Sequence, residues 1–229
     1  MAKSNKKQQD DKNIVAVEEA LSKSEQFIER YQNTLIYGVA IVVILIAGYI
    51  GYTRFILEPR EQEGLTEMYR AETYFDQGDY EQALEGDAEY PGFLDIISDY
   101  RMTSAANLSR YYAGISLIQL GEHEEGIDHL ESFRKRDPIL GAMAYGAIGD
   151  AYWEMGDLDE AASYYRRAYN HEPNKMTTPA FLLKAGLLHE EKGEYEEALD
   201  KYERIRREYT DSDEGQEIEK YIARVEAAV

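Results

Sequence analysis

The segment GDAYWEMGDLDEAASYYRRAYNHEP, residues 149–173, contains the pattern that decides the fold of most of this chain. Gly149 and Ala161 lack bulk where two antiparallel helices cross closely, and Gly156 suits the left-handed end of the first helix. Pro173 stops the second helix because proline cannot donate a backbone hydrogen bond. The positions that carry the pattern are Gly149, Tyr152, Gly156, Ala161, Tyr165, Ala168 and Pro173.

The turn within this segment has three further copies. Gly78, Gly121, Gly156 and Gly193 open the phrases GDYEQA, GEHEEG, GDLDEA and GEYEEA, with separations of 43, 35 and 37 residues. The pattern resembles the tetratricopeptide repeat, a helix–turn–helix unit of about 34 residues. That resemblance implies a solenoid in which each repeat packs only against its neighbours.

We therefore predict an all-α protein. An N-terminal amphipathic helix and a single transmembrane helix are followed by a tetratricopeptide repeat α-solenoid of about four helix pairs with a C-terminal capping helix. The predicted segments are 1–33 for the polar helical part, 34–57 for the transmembrane helix and 60–229 for the repeat domain. Repeats are expected near 64–100, 107–138, 142–173 and 179–210, with the capping helix at 213–227.

The first copy departs from the pattern after Ala83. Gly86, Pro91 and Gly92 interrupt its second helix, and an insertion of about nine residues relative to the repeat period gives room for a helix that resumes at Phe93. A second interruption is expected at Pro59, which should break the helix that leaves the membrane.

The run from Leu35 to Tyr52 contains 18 residues without a charge. A bilayer core of about 30 Å takes roughly 20 helical residues, so this run and its uncharged flanks predict a transmembrane helix. A cleaved signal peptide and a buried core helix are the alternatives. A polar segment precedes the run, and no charge occurs from Tyr31 to Thr53, which disfavours both.

Two features of the N-terminal part indicate helix contacts. Ile14, Val17 and Leu21 begin an apolar stripe at helical spacing, which could pair with a partner helix, lie on the inner membrane surface, or belong to an ordinary juxtamembrane helix. Within the predicted span, Ala47 and Gly51 offer a small-residue face for packing against another membrane helix.

The orientation of the span follows from charge. Lys and Arg in a short N-terminal tail resist translocation, whereas a long domain can cross largely regardless of its charge. The arrangement predicted for a bacterium is a single-pass inner-membrane protein, with the N terminus cytoplasmic and the repeat domain periplasmic.

Composition limits the function. From Phe55 onward the chain has 18 Lys and Arg against 39 Asp and Glu, a net charge of about −21. Such a surface repels nucleic acid and favours basic polypeptides. The chain has no cysteine, and its four histidines lack the spacing of metal ligands. Without a phosphate loop or a nucleophile motif, we expect no enzyme activity and no cofactor.

The inner face of such a solenoid is built mainly from the first helix of each pair. By helical phase, the groove residues proposed to bind a client or partner are Met68, Phe75, Tyr111, Ile115, Ile118, Asp150, Trp153 and Leu187. This apolar lining with scattered acid suits extended apolar or basic segments, such as unfolded or nascent chains. The alternative for each residue is ordinary packing between repeats.

The whole architecture, with FLDIISDY at 93–100 followed by YYAG at 111–114, resembles the YfgM-like family of bacterial inner-membrane proteins. That resemblance implies an ancillary, chaperone-like subunit of the Sec translocon, associated with a membrane-anchored prolyl isomerase chaperone and acting on newly exported polypeptides. The alternative function is a non-chaperone scaffold that links subunits of a cell-envelope assembly or a secretion machine.

Overall fold

The computed structural model describes residues 30–34 and 36–228. Contacts within the chain divide it into two compact units, Met1–Glu58 and Pro59–Val229. The predicted amphipathic helix of the N-terminal segment lies, up to residue 29, outside the described residues.

The first unit contains the apolar helix. Residues 30–34 are helical, α1 covers residues 36–52, and the five residues Thr53–Leu57 form a π-helical turn in which the Glu58 N–H donates to the Thr53 carbonyl. Among the described residues, one helix, Arg30–Asp76, is long and apolar enough to cross a membrane. The most apolar stretch of 18 residues in this helix has a mean hydropathy of 2.3. None of it is buried within the structure, whereas the core helix of a soluble protein is mostly buried.

The expected break at Pro59 does not occur. Pro59 lies in the first turn of α2 (Glu58–Asp76). The helix is nevertheless continuous from Arg30 to Asp76. Proline is accommodated because it directly follows the π-helical turn, where the regular i→i−4 hydrogen bonds are already interrupted, and because its fixed φ suits a helix.

The second unit is built from helices, and no β-strand occurs in the described part of the chain. After α2 come α3 (Tyr80–Glu85), α4 (Phe93–Asp99), α5 (Ser104–Gln119), α6 (His123–Ser132), α7 (Pro138–Met155), α8 (Leu158–Asn170), α9 (Thr178–Glu191), α10 (Tyr195–Glu208) and α11 (Asp213–Glu226). The all-α prediction is confirmed. The inserted segment of the first repeat is closed by an isolated bridge between Gly86 and Pro91, and the helix resumes at Phe93 as expected.

The four repeated glycines end helices, as their phrases predict. Gly78, Gly121, Gly156 and Gly193 have φ angles of 78°, 86°, 82° and 73°. Glycine adopts this left-handed conformation at little cost because it has no Cβ atom. In other residues the Cβ atom would clash with the backbone. Each glycine therefore stops one helix and lets the chain reverse into the next.

Helices pack in successive antiparallel pairs: α5 with α6, α7 with α8, and α9 with α10. Neighbouring pairs are joined by contacts of α8 with α9, and α11 packs against α10. Fully buried side chains between them include Leu130, Ile148, Tyr165, Leu182 and Tyr202. Burial of each large apolar side chain stabilises the fold by roughly 1.5–3 kcal/mol before the loss of conformational entropy is counted.

Candidate polypeptide-binding cavity

A cavity of about 510 Å³ lies between the first helices of the second and third repeats. The α5 side contributes Ile115, Ile118 and Gln119. The α7 side contributes Ala147, Asp150, Trp153 and Glu154, and Tyr165 of α8 and Lys184 of α9 complete the lining. Spacings of three and four residues place each set on one face of its helix, which is why two helices suffice for most of the lining.

Asp150 is the polar centre of this cavity. The Tyr165 hydroxyl donates to Asp150 Oδ1 at 2.6 Å, and Lys184 Nζ donates to Oδ1 and Oδ2 at 2.6 and 2.7 Å. Burial, together with the Asp150 charge, raises the pKa of Tyr165 well above its usual value. The phenol therefore stays protonated and acts as a donor, while Lys184 offsets the charge of Asp150.

The Trp153 side chain is positioned by one hydrogen bond and one aromatic contact. Its indole Nε1 donates to Glu191 Oε2 at 2.8 Å, and its ring meets the Tyr165 ring edge-on, with centroids 5.9 Å apart and planes at 74°. This geometry is a favourable arrangement of aromatic rings. The side chain is half-buried, so part of the ring remains on the cavity surface.

The two walls of the cavity differ in chemistry. Ile115 and Ile118 give α5 an apolar surface, whereas α7 presents Asp150 and Glu154. The Glu154 side chain is 63% exposed, and His123 Nε2 lies 3.5 Å from its carboxylate. With one lysine against two acids in the lining and Glu191 bonded to Trp153, the α7 side is net acidic.

Four of the eight predicted groove residues come together in this cavity: Ile115, Ile118, Asp150 and Trp153. Met68 and Tyr111 instead lie in the core, 3% and 6% exposed. Met68 Sδ accepts from Ser109 Oγ at 3.3 Å, and the Tyr111 ring packs against Phe133 at 5.5 Å. Both side chains are enclosed between helices, so in this conformation they support the repeats and do not line the cavity.

The remaining predicted residues lie elsewhere. Phe75 packs edge-on against the rings of Tyr112 and Phe93, at 5.0 and 6.4 Å. Leu187 is half-buried on α9, outside the lining of the cavity. In the first unit, Ala47 is exposed, and no atom of the described residues lies within 4 Å of a Cβ placed on Gly51. The packing of the Ala47 and Gly51 face against a partner helix therefore stays a prediction.

Sequence reasoning missed Glu154 and Lys184 as lining residues. The repeat pattern gave no signal for Lys184, because the third and fourth repeats are 37 residues apart, which aligns Asp150 with Leu187 and leaves Lys184 about one helical turn earlier on α9. A second ion pair joins α9 to α11: the Arg224 guanidinium donates to the two carboxylate oxygens of Glu190 at 2.8 and 2.7 Å. Both ion pairs depend on how neighbouring helices pack.

Chemical groups for catalysis are not assembled at this site. The described residues contain no group of three or more His, Asp or Glu side chains that could hold a metal ion. A repeat fold of this kind is typically a protein-interaction scaffold without enzyme activity, and nothing in the described residues indicates catalysis.

Family models agree with the helical pattern. A model described as tetratricopeptide repeat matches residues 111–177 and 147–213, and a second model with the same description matches residues 67–85. Together these matches fall on α2 and α3 and on the three helix pairs between α5 and α10.

Relatives and solved structures share this repeat region. The Protein FLUORESCENT IN BLUE LIGHT, chloroplastic, of Arabidopsis thaliana is 26% identical over 143 residues, which are 60% of this chain and 42% of that protein. The chain thus spans less than half the length of this relative. Two crystal structures of a Podosopora anserina putative kinesin light chain with nearly identical TPR-like repeats are similar in fold. Their TM-scores are 0.54 and 0.53 at 14% identity, covering 71% of this chain and 85% and 84% of theirs.

Proposed function

Since this chain carries tetratricopeptide repeats, and such repeats form protein-interaction modules, we propose that it is a membrane-anchored protein that binds unfolded or nascent polypeptides through the cavity between α5 and α7. The observation that carries the proposal is the pair of unlike walls, apolar on α5 and acidic and aromatic on α7. A surface of this kind binds by burial of apolar side chains and by charge, and so accepts many sequences.

The anchor in this proposal is the apolar helix of the first unit. Its length and hydropathy fit a bilayer, and the exposure of its apolar side chains is what lipid contact requires. The proposed location is the inner membrane of a bacterium, with the N terminus in the cytoplasm and the repeats in the periplasm. Protease added to spheroplasts should then digest the repeat domain, and protection of that domain would contradict this orientation.

The proposed partners come from the resemblance to the YfgM-like family. They are the Sec translocon and a membrane-anchored prolyl isomerase chaperone, beside which the protein acts as an ancillary subunit. Mild crosslinking in intact cells, followed by detergent purification of the tagged full-length chain, should recover the translocon. Failure to recover it would contradict the subunit role and leave the binding of polypeptides to be decided by the next experiment.

The binding of clients is tested with the full-length protein in detergent micelles and a labelled, permanently unfolded, cysteine-free polypeptide of positive net charge. Fluorescence anisotropy of the label measures binding. Replacement of Trp153 with Gln removes an aromatic surface from the cavity and should weaken binding about tenfold, the effect expected of a central aromatic contact. Met176→Gln is the matched control, because Met176 is 68% exposed and lies outside the cavity lining.

The scaffold alternative makes the opposite prediction. A scaffold that joins fixed subunits needs the repeats to be folded but has no use for unfolded chains. If the parent protein does not bind the unfolded polypeptide, or if Trp153→Gln and Met176→Gln bind it equally to the parent, the chaperone-like role at this cavity is wrong.

A further inference from the structure

We propose that the cavity between α5 and α7 selects polypeptide segments in which an apolar side chain is adjacent to a Lys or Arg. This inference rests on the proposed function and adds the chemistry of the preferred segment. The apolar side chain would lie against Ile115 and Ile118, and the cation would lie against Glu154, next to the Trp153 ring.

The apolar half of the preference follows from the α5 wall. Ile115 is half-buried and presents most of this apolar wall, whereas Ile118 is 7% exposed, packs mainly in the core and adds only the small part that faces the cavity. Each CH₂ group that a ligand buries against such a surface should tighten binding by about fourfold. The volume of about 510 Å³ has room for a few side chains and excludes a folded domain.

The cationic half follows from the charges that face the cavity. Asp150 is bonded to Lys184 and Tyr165. Among the described residues, the Glu154 carboxylate pairs only with the imidazole of His123 at the start of α6, whose Nε2 lies 3.5 Å away. Glu191 adds a second carboxylate at the indole of Trp153. A ligand cation beside Trp153 would gain attraction from these carboxylates and from the ring face.

An anionic segment lacks a comparable site. The lysine of the lining, Lys184, already donates to both oxygens of Asp150, so a ligand carboxylate would have to compete with an ion pair of 2.6 Å. The surrounding domain also carries a net charge of about −21 and repels acidic chains over the distance of a Debye length. Charge therefore discriminates between two segments of equal hydrophobicity.

The chain provides its own probe, because Trp153 is its single tryptophan. Three soluble peptides with Gly and Ser spacers, acetylated and amidated at their ends, would carry Leu-Lys pairs, Leu-Glu pairs or Ala-Lys pairs. They are titrated into the full-length protein in micelles while the indole fluorescence is recorded. The Leu-Lys peptide should shift this fluorescence, and the Leu-Glu and Ala-Lys peptides should bind about tenfold more weakly.

A charge variant tests the assigned residue. Glu154→Gln should weaken the Leu-Lys peptide about threefold to tenfold, with little effect on the Leu-Glu peptide. Glu226→Gln removes the same charge from an exposed site at the end of α11 and should leave both affinities unchanged. High salt should reduce the difference between the Leu-Lys and Leu-Glu peptides.

The outcomes separate this inference from the proposed function. Equal binding of Leu-Lys and Leu-Glu peptides, or equal loss in Glu154→Gln and Glu226→Gln, would overturn the inference, even if unfolded polypeptides still bind. If neither the peptides nor the unfolded polypeptide of the previous experiment binds, then the proposed function fails as well.

Discussion

Lys184 of the fourth repeat forms an ion pair with Asp150 of the third, with Nζ 2.6 and 2.7 Å from the two carboxylate oxygens. The two residues lie on α9 and α7, the first helices of successive repeats, and both side chains keep contact with solvent, 41% and 37% exposed. The pair therefore joins neighbouring repeats within the lining of the cavity, where both side chains remain accessible to solvent.

Because the pair is exposed, its contribution to stability should be small. A double-mutant cycle with Asp150→Asn and Lys184→Met should give a coupling energy of about 0.2–1 kcal/mol in the free energy of unfolding, measured by urea denaturation. The coupling should shrink in about 1 M salt, where the Debye length is about 3 Å. A coupling of several kcal/mol would contradict the exposure seen at this pair.

Gly186 should be far less tolerant of change. A Cβ at this position would lie 2.3 Å from Cε1 of Tyr202, a fully buried ring whose hydroxyl is bonded to Glu190. Gly186→Ala should lower the free energy of unfolding by about 1–3 kcal/mol, because overpacking outweighs the better helix propensity of alanine. Gly48→Ala in α1 is the control, since nothing lies within 4 Å of its Cβ position, and it should leave unfolding of the repeats unchanged.

The ends of the helices could be predicted from the sequence because they depend on local chemistry. Gly121 and Gly193 each follow a helix and adopt a positive φ that other residues rarely take, and the repeated phrase after them marks the next helix. Pro59 misled the prediction, because a proline that would break a regular helix interior is accommodated directly after the π-helical turn Thr53–Leu57.

The cavity could be predicted only in part. Helical phase places Tyr111 and Ile115 on neighbouring turns of one face of α5, yet the Phe133 ring covers Tyr111 and leaves Ile115 at the cavity. Which side chain of α5 is buried depends on contacts with segments distant in sequence, and the helical phase of α5 gives no information about those contacts. Asp150 was predicted as an acidic groove residue, but its ion pair with Lys184 depends on how α7 and α9 pack.

Alkaline pH should weaken the fold through its buried phenols. Burial, with a smaller effect of Tyr112, raises the pKa of Tyr111 from 10.0 to about 12. Below about pH 10 the phenol is protonated in both states, so its contribution is fully present. As pH rises from about 10 to 12 the unfolded chain loses the proton first, and stability falls by up to about 1.4 kcal/mol per pH unit.

Tyr111→Phe removes this contribution, so the melting temperature of the variant should fall less steeply than that of the parent between about pH 10 and 12. Circular dichroism melts across this range measure the two slopes. Tyr69→Phe, at a side chain 71% exposed, controls for the loss of a hydroxyl group. If the melting temperatures of the parent and of Tyr111→Phe fall in parallel with pH, then Tyr111 has the same pKa in the folded and unfolded states, which contradicts the prediction.

The last helix, α11, should be needed for the stability of the fourth repeat. Ile218, Ile222 and Val225 are 1%, 2% and 0% exposed against this end of the solenoid, whereas Gln216 on the same helix is exposed. Ile218→Ala should cost about 2–5 kcal/mol in urea unfolding, because it leaves a cavity between α11 and its neighbours. Gln216→Ala should stay within about 0.5 kcal/mol of the parent. Equal effects of the two changes would mean that α11 does not cap the array, since a capping helix stabilises a solenoid through its buried face.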